Sequence, residues 1–368
     1  MKLRYKILNG ILGVIALAVF ALAITIGYTS SCPAPIATTD DDSSLMSAVS
    51  PRCYGGPEVL EVAKTPIPTP AADEVLVLVK NAAVNPLDYH FMRGSPFLLR
   101  LMTGIGKPTN SESGRDFAGI VTAIGSEVTN FEVGDEVFGG TDGAFSEYIT
   151  VRASRAITTK PASISFEQAA AIPIAGVTAL QALRDYGQLK PGQKVLINGA
   201  SGGVGTYAVQ FAKSMGAEVY GVCSTRNVEM VLGLGADRVY DYKKENFTED
   251  DIKFDLIVDN VGNHDISDLR GVMTDEGRLV IVGGPKGNWI APLIPLIKAG
   301  ITNPFVSQSI ETFTARLLPD DMAQIAQWMD EGKARSVIDR RFSLADVSEA
   351  VRYSESGRAR GKIIIEVQ

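Results

Sequence analysis

A glycine-rich turn between two apolar runs has the residue types and spacing best suited to chemistry. The run 194–198 leads into Ala200, Ser201, Gly202, Gly203, Val204 and Gly205, and a second run begins at Glu218 after a helical segment. Gly202 lets a pyrophosphate approach the backbone, and Gly205 lets the helix pack closely on the strand. The helix N-terminus offers free N–H groups and the positive end of its dipole. The segment therefore predicts a dinucleotide-binding βαβ unit.

The end of the second run indicates which dinucleotide is bound. NAD-binding units usually carry Asp or Glu about 20 residues after the glycines, where it binds the ribose 2′-hydroxyl. Here the run ends in Ser224, Thr225 and Arg226, with no acid. The two hydroxyl groups donate hydrogen bonds, and the guanidinium pairs with a phosphate. These residues favour NADPH as the cofactor.

Size, charge and cysteine content limit the class of protein. A chain of 368 residues exceeds one ordinary core, so we expect two folded domains. The net charge of −7 argues against nucleic acid as a partner. The cysteines Cys32, Cys53 and Cys223 are widely spaced, which argues against both a disulfide framework and a four-cysteine zinc site.

The N-terminal residues have the pattern of a membrane segment. Lys2, Arg4 and Lys6 precede a mostly apolar run over 7–26, and three aspartates follow at 40–42. The length predicts a membrane anchor over 1–28, with a cleaved signal peptide as the alternative. Cys32 is a poor lipoprotein site, because the residue three before it is not apolar. The basic flank favours export of the domain, whereas a cytoplasmic cofactor favours the other side, so the side stays open.

The rest of the chain divides by its pattern. Residues 29–50 read as a polar linker, 51–170 as a β-rich region and 171–310 as alternating strands and helices. Such alternation predicts an α/β fold with a doubly wound parallel sheet. The expected strands are 74–79, 118–124, 145–151, 254–259, 277–282 and 362–367, and the expected tail helices are 320–331 and 344–354.

Several short motifs occur in a familiar order. They are 55–60 (GGPEVL), 83–88 (AVNPLD), 114–119 (GRDFAG), 133–138 (VGDEVF) and 192–205. Together they resemble the zinc-free, quinone-oxidoreductase-like (zeta-crystallin-like) branch of the medium-chain dehydrogenase/reductase superfamily. The resemblance implies a GroES-like catalytic domain over 51–170, completed by 311–368, and a Rossmann domain over 171–310. It also implies a homodimer, with Ile301–Ile310 as the candidate edge strand.

The zinc-dependent branch of that superfamily is disfavoured by the residues themselves. Where it carries a ligand cysteine and a Gly-His-Glu motif, this chain has Asn85 and Gly114-Arg115-Asp116. Only two histidines occur, His90 and His264. Because a catalytic zinc needs three protein ligands, we expect no metal.

The resemblance also implies which residues line the substrate pocket. Asn85 matches a family asparagine, whereas the family tyrosine position holds His90, with Tyr89 one residue earlier. The proton donor is therefore left open, and capping by Asn85 or simple packing of the two rings remains an alternative. Further cofactor contacts implied by the resemblance are Thr178, Tyr242 and Phe145. Asn260, Val261 and Gly283 are added because they follow expected parallel strands, where such sheets bind ligands; ordinary loop residues are the alternative.

Taken together, these features lead us to expect an NADPH-dependent, zinc-independent reductase of quinones or α,β-unsaturated carbonyl compounds. The alternatives are a 2-enoyl-thioester reductase and an NADPH-binding redox sensor without turnover.

Overall fold

The computed structural model describes residues 17–33, 44–110, 112–284, 287–289, 291 and 294–368. Within them the fold is built on a six-stranded parallel sheet and a seven-stranded mixed sheet. The strands are β1 (Leu45–Val49), β2 (Val62–Pro66), β3 (Glu74–Val84), β4 (Asp116–Ile124), β5 (Glu136–Gly140), β6 (Tyr148–Arg152), β7 (Ile157–Thr159), β8 (Lys194–Asn198), β9 (Glu218–Cys223), β10 (Arg238–Asp241), β11 (Phe254–Asp259), β12 (Met273–Ile281), β13 (Ser309–Thr312), β14 (Ile338–Ser343) and β15 (Lys362–Glu366).

Helices cover both faces of the parallel sheet and close the second domain. They are α1 (17–27), α2 (Pro86–Arg93), α3 (Arg100–Thr103), α4 (Phe166–Ala170), α5 (Pro173–Gln181), α6 (Gly203–Ser214), α7 (Val228–Gly233), α8 (Ile266–Gly271), α9 (Ile294–Thr302), α10 (Pro319–Asp330) and α11 (Val347–Glu355).

The parallel sheet confirms the doubly wound architecture that the alternating pattern predicts. Its order is β10-β9-β8-β11-β12-β13, and every neighbouring pair is parallel. The chain therefore crosses over between β9 and β11 on either side of β8, which opens a crevice at the strand ends. Separate apolar cores lie on the two faces of the sheet.

The mixed sheet draws its strands from both ends of the folded region. Its order is β14-β15-β3-β4-β5-β7, with β6 also paired to β3. The tail strands β14 and β15 reach the sheet through antiparallel pairing of β15 with β3. The C-terminal segment therefore completes this domain, and its last strand lies next to the residues that precede α2.

Two sequence-based boundaries are wrong. The linker assigned to 29–50 contains β1, which pairs with β2. The first half of the edge strand expected at Ile301–Ile310 is helical, because Ile301 belongs to the apolar helix α9 and a 3₁₀ turn follows at Asn303–Phe305. The Asn303 side chain binds both the N–H and the carbonyl of Ile310 and ends that turn. The true edge strand, β13, begins at Ser309.

The N-terminal helix α1 is tied to the mixed-sheet domain. A disulfide joins Cys32 to Cys53, and the buried guanidinium of Arg100 donates to the carbonyls of Ile26 and Tyr28 at the helix end. The cysteine spacing argued against a disulfide framework, but one disulfide is present. Because the Cys32 sulfur is in this disulfide, it is not a free thiol. No helix in the described ranges is long and apolar enough to cross a bilayer. The anchor assigned to 1–28 lies partly outside the described residues, since these begin at residue 17.

Candidate active site

The glycine-rich turn joins β8 to α6 in the geometry that its sequence predicts. A Cβ on Gly205 would lie 2.2 Å from the Gly199 carbonyl oxygen, so only glycine allows this approach of helix and turn. A Cβ on Gly202 would meet only that same oxygen, at 3.4 Å, so the space in front of Gly202 is open. The first N–H groups of α6 have no partner within the helix. The turn therefore offers a cradle for phosphate groups.

Three predicted cofactor residues gather at the carboxyl ends of the central strands. Asn260 and Val261 follow β11, and Gly283 follows β12. A Cβ on Gly283 would lie 2.1 Å from the Asn260 carbonyl oxygen, and one on Gly199 would lie 2.8 Å from Val261. The structure therefore brings these residues together with the glycine-rich turn, at the edge where parallel sheets bind ligands.

The residues expected at the adenosine end also meet there. The Tyr242 N–H donates to the Cys223 carbonyl at 3.1 Å, which sets the exposed tyrosine beside the end of β9. Arg226 is exposed and donates to the Arg358 carbonyl at 2.6 Å. Asp241, at the end of β10, hydrogen-bonds Thr225, and this contact helps to hold the pKa of the carboxyl below its ordinary value against the effect of burial. Thr225 is thus engaged within the protein, while Ser224 and Arg226 border the open side.

Asn227 is a residue that the sequence reasoning missed. Its amide donates to Ser201 in the glycine-rich turn at 2.9 Å and to Ser224 at 3.2 Å. Its buried Oδ1 atom has no partner among the described residues, and neither has the Oδ1 atom of Asn260. Buried polar groups are normally satisfied, so two free acceptors beside an open cradle suit a polar ligand. The residues present therefore fit a dinucleotide.

The C-terminal segment of the mixed-sheet domain contacts one side of the cradle. Gly361 forms an isolated bridge with Gly202, and its N–H donates to the Ser201 carbonyl at 2.9 Å. A Cβ on Gly203 would lie 3.3 Å from the Lys362 side chain. Consequently the two domains meet at the glycine-rich turn, and β15 leads directly from it to the second half of the site.

A buried polar network forms that second half. Lys362 Nζ donates to Asn85 Oδ1 at 2.6 Å and to Asp116 Oδ2 at 3.3 Å. Asn85 Nδ2 donates to Asp116 at 2.9 Å and to the Ala83 carbonyl at 3.3 Å. Asp116 also accepts from the Ile174 N–H at 3.2 Å. Both amide hydrogens of Asn85 donate within the protein, so they hold Asn85 in place beside Asp116; that Asn85 lines the substrate pocket stays a prediction.

Tyr89 and His90 follow on α2 and are both half-buried. Their ring centroids lie 4.7 Å apart. His90 Nδ1 lies 2.9 Å from the Ser95 carbonyl oxygen, so this nitrogen carries the proton of the neutral ring. Burial lowers the pKa of His90 and raises that of Tyr89. At neutral pH the tyrosine therefore keeps its proton, while His90 Nε2 is an acceptor.

The side chains of two other expected contacts, Phe145 and Thr178, are buried. The Phe145 ring is 1% exposed and packs in the core of the mixed-sheet domain, so only its backbone remains for a ligand. Thr178 lies in α5 and is 8% exposed, which limits it to a small contact through its hydroxyl. These two were implied by family position, and packing inside the domain explains why their side chains turn inward.

The pKa of Asp88, next to the network, is raised by burial to about 7. Its carboxyl accepts from the Asn85 N–H at 2.7 Å. In the unfolded chain the carboxyl ionises near pH 4, so the native state loses stability as the pH rises toward 7. Because Asp88 is only half-buried, we expect Asp88→Asn to gain about 1–2 kcal/mol over the wild type between pH 5 and pH 8.

Urea unfolding at the two pH values measures this difference, and exposed Asp73→Asn is the matched control. Parallel pH dependence of the wild type and Asp88→Asn would show that the Asp88 carboxyl titrates normally.

Both parts of the chain match known protein families. Residues 71–162 match the family described as "Alcohol dehydrogenase GroES-like domain" and residues 234–365 that described as "Zinc-binding dehydrogenase". No group of three His, Cys, Asp or Glu side chains suited to a metal occurs in the ranges that the structure describes.

Several similar proteins are named as oxidoreductases or reductases. The chain is 32% identical to a chloroplast envelope quinone oxidoreductase homolog of Arabidopsis thaliana, over 88% of this chain and 98% of that one. It is 30% identical to the 2-methylene-furan-3-one reductase of Solanum lycopersicum, over 94% and 86%. The crystal structure of Escherichia coli quinone oxidoreductase with NADPH superposes with a TM-score of 0.74 at 26% identity, over 87% and 100%. With its two-domain fold, phosphate cradle and these relatives, the chain belongs to the medium-chain dehydrogenase/reductase superfamily.

Proposed function

We propose that the protein is an NADPH-dependent, zinc-independent oxidoreductase that reduces quinones or α,β-unsaturated carbonyl compounds. The observation that carries the proposal is the open phosphate cradle at Gly202, bordered by the unpartnered amide oxygens of Asn227 and Asn260. The buried network of Asn85, Asp116 and Lys362 lies directly beside it. NADPH, when bound, supplies a hydride. The relatives named as quinone and enone reductases support the same class of reaction.

The protein's own groups would then bind, orient and protonate. The N-terminus of α6 holds the pyrophosphate, and Tyr242 and Arg226 bind the adenosine end. Reduction of a conjugated carbonyl leaves negative charge on its oxygen, which needs a hydrogen-bond donor and then a proton. Tyr89 keeps its hydroxyl proton at neutral pH, whereas His90 can donate from Nε2 only as an imidazolium. The pH profiles of the variants Tyr89→Phe and His90→Asn distinguish these two donors.

A direct assay separates this function from its alternatives. Quinones, short enones and 2-enoyl thioesters are offered to the full chain with NADPH, and cofactor oxidation is followed at its absorbance maximum. Turnover of quinones or enones supports the proposal, and turnover confined to thioesters supports the enoyl reductase. Tight NADPH binding without turnover of any compound would leave a redox sensor.

The preference for NADPH over NADH rests on Arg226. The side chain is exposed just after β9 and donates to the Arg358 carbonyl of the tail. We expect Arg226→Asp to weaken NADPH binding at least tenfold, or roughly 1.5–3 kcal/mol, because a charged contact becomes a repulsion. Affinity for NADH should change little. Calorimetry with both cofactors measures this, and exposed Arg155→Asp controls for the change in net charge. Equal affinities of the wild type for the two cofactors would refute the preference.

The N-terminal segment and the sheet edge support two further parts of the proposal. We place the chain at a membrane through its apolar N-terminal residues, and the Cys32–Cys53 disulfide supports an oxidising compartment for the domain. Protease accessibility in intact cells tests which side of the membrane the domain occupies.

We also propose a homodimer through β13, which forms one edge of the parallel sheet. Light scattering tests the oligomeric state.

A further inference from the structure

Exposed apolar side chains lie on both of the segments that are joined where α1 meets the mixed-sheet domain. On α1, Phe20 is 65% exposed, with Leu17 and Ile24 similarly open. On the adjoining segment 97–106, Met102 is 85% and Leu101 57% exposed. Scattered single apolar residues on a surface are ordinary, but a contiguous patch marks an interaction site. We define α1 together with residues 97–106 as the apolar face.

The two parts of this face are held as one unit. Arg100, buried beneath it, donates to the carbonyls of Gly94 at 2.8 Å and Tyr28 at 2.9 Å. Thr29 forms a bridge with Gly106. A Cβ on Gly27 would lie 3.5 Å from the ring of Trp289, whose neighbour Phe97 is 4.8 Å away between ring centroids. The end of α1 is therefore fixed against segment 97–106, so the two parts meet a partner together.

The chain outside the described region indicates what covers the face. The apolar run of α1 extends back in sequence to Ile7, and Lys2, Arg4 and Lys6 precede it. An apolar segment with basic residues at one end is the composition that lipid bilayers bind, through buried apolar area and attraction to anionic headgroups. A surface that covered only a second copy of the chain would not need this basic, apolar extension.

We propose that the apolar face docks on a lipid bilayer containing anionic lipid, so that the mixed-sheet domain lies against the membrane. This rests on the membrane attachment proposed above and goes beyond it, because it places the mixed-sheet domain itself on the bilayer. It requires neither cofactor nor turnover. It also brings the candidate site close to the lipid surface. His90 Nδ1 lies 2.9 Å from the Ser95 carbonyl oxygen, and Ser95 Oγ lies 2.9 Å from Asn288, the neighbour of Trp289.

Trp289 is a built-in probe of the docking. The chain has two tryptophans, and Trp328, which packs on Phe211 at 5.1 Å, can be replaced by phenylalanine. Full-length Trp328→Phe protein is mixed with vesicles of phosphatidylcholine and phosphatidylglycerol, with or without brominated acyl chains. We expect bromination to quench the Trp289 emission by roughly half, since a docked face enters the headgroup and acyl boundary.

A pair of substitutions that introduces negative charge separates docking from simple tethering. In that background, Leu101→Glu with Met102→Glu should abolish the quenching while the chain still floats with vesicles through its N-terminus. Val133→Glu is the control. Val133 is 63% exposed and lies on a turn beside the C-terminal half of β4, outside the apolar face. Circular dichroism confirms folding of each variant.

Three results would overturn the proposal. One is flotation of the parent protein without quenching, which would mean that the domain hangs free of the membrane. Another is absence of flotation. The third is a lipid-free dimer that the Leu101→Glu, Met102→Glu pair converts to a monomer, which would assign the face to a second copy.

Discussion

Replacing Lys362 with methionine is expected to lower the free energy of unfolding by about 3–5 kcal/mol. Lys362 and Asp116 are both buried, and the ammonium group is the cation that lies 3.3 Å from the Asp116 carboxyl. Removing one partner leaves the other charge buried without compensation. Asn85 also loses the donor to its Oδ1 atom. Urea unfolding of the purified protein at pH 7 measures the effect.

The double variant Asp116→Asn, Lys362→Met is the matched control for this prediction. It removes both charges and keeps an oxygen at position 116 to accept from the Ile174 N–H. We expect it to recover most of the lost stability, because replacing both members of a buried ion pair is often neutral. A double variant no more stable than Lys362→Met would mean that packing, not charge, explains the loss.

Gly205→Ala is expected to weaken NADPH binding by roughly a hundredfold, or about 3 kcal/mol. The added Cβ would lie 2.2 Å from the Gly199 carbonyl oxygen and 2.8 Å from Ala200. Because these are backbone atoms, α6 must shift away from β8 and carry its N–H groups out of position. We also expect a stability loss of about 1–3 kcal/mol from the overpacking. Calorimetry and thermal unfolding measure the two effects.

Two other glycines separate binding from folding. Gly202→Ala should keep its stability, because its Cβ meets only one atom, at 3.4 Å, but lose affinity where a phosphate would approach. Gly233→Ala, in α7 with nothing within 4 Å of its Cβ, should change neither. Wild-type affinity in Gly205→Ala would contradict the cradle assignment.

Local pattern was enough to predict the parallel sheet and the cradle. The strand expected at 254–259 is β11, because a short apolar run between polar turns is typical of a buried strand. The glycine-rich turn could be predicted because the close approach of Gly205 to Gly199 is a local steric requirement within one short segment. The antiparallel pair of β1 and β2 was not predicted. Residues 45–49 mix polar and apolar side chains, and no tight turn connects them to 62–66.

The polar half of the site depends on contacts that sequence order hides. Lys362 begins an apolar strand and looks like an ordinary strand-end lysine, yet it reaches Asn85 across 277 residues of chain. Asn227 looks like a helix cap, and only the fold brings it to Ser201. The resemblance pointed to Asn85. That its amide donates to Asp116 depends on the fold, which brings the two residues together. The roles of Tyr89 and His90 stay predictions.

The Cys32–Cys53 bridge makes the protein resistant to separation by proteolysis. A cut anywhere between residues 33 and 52 would leave the N-terminal fragment covalently attached to the rest of the chain. On a gel without reductant the nicked protein would migrate near full size, and a small N-terminal piece would appear only after reduction. Processing in this stretch would therefore leave the N-terminal helix in place, and only a cut before residue 32 or reduction of the bridge would release it.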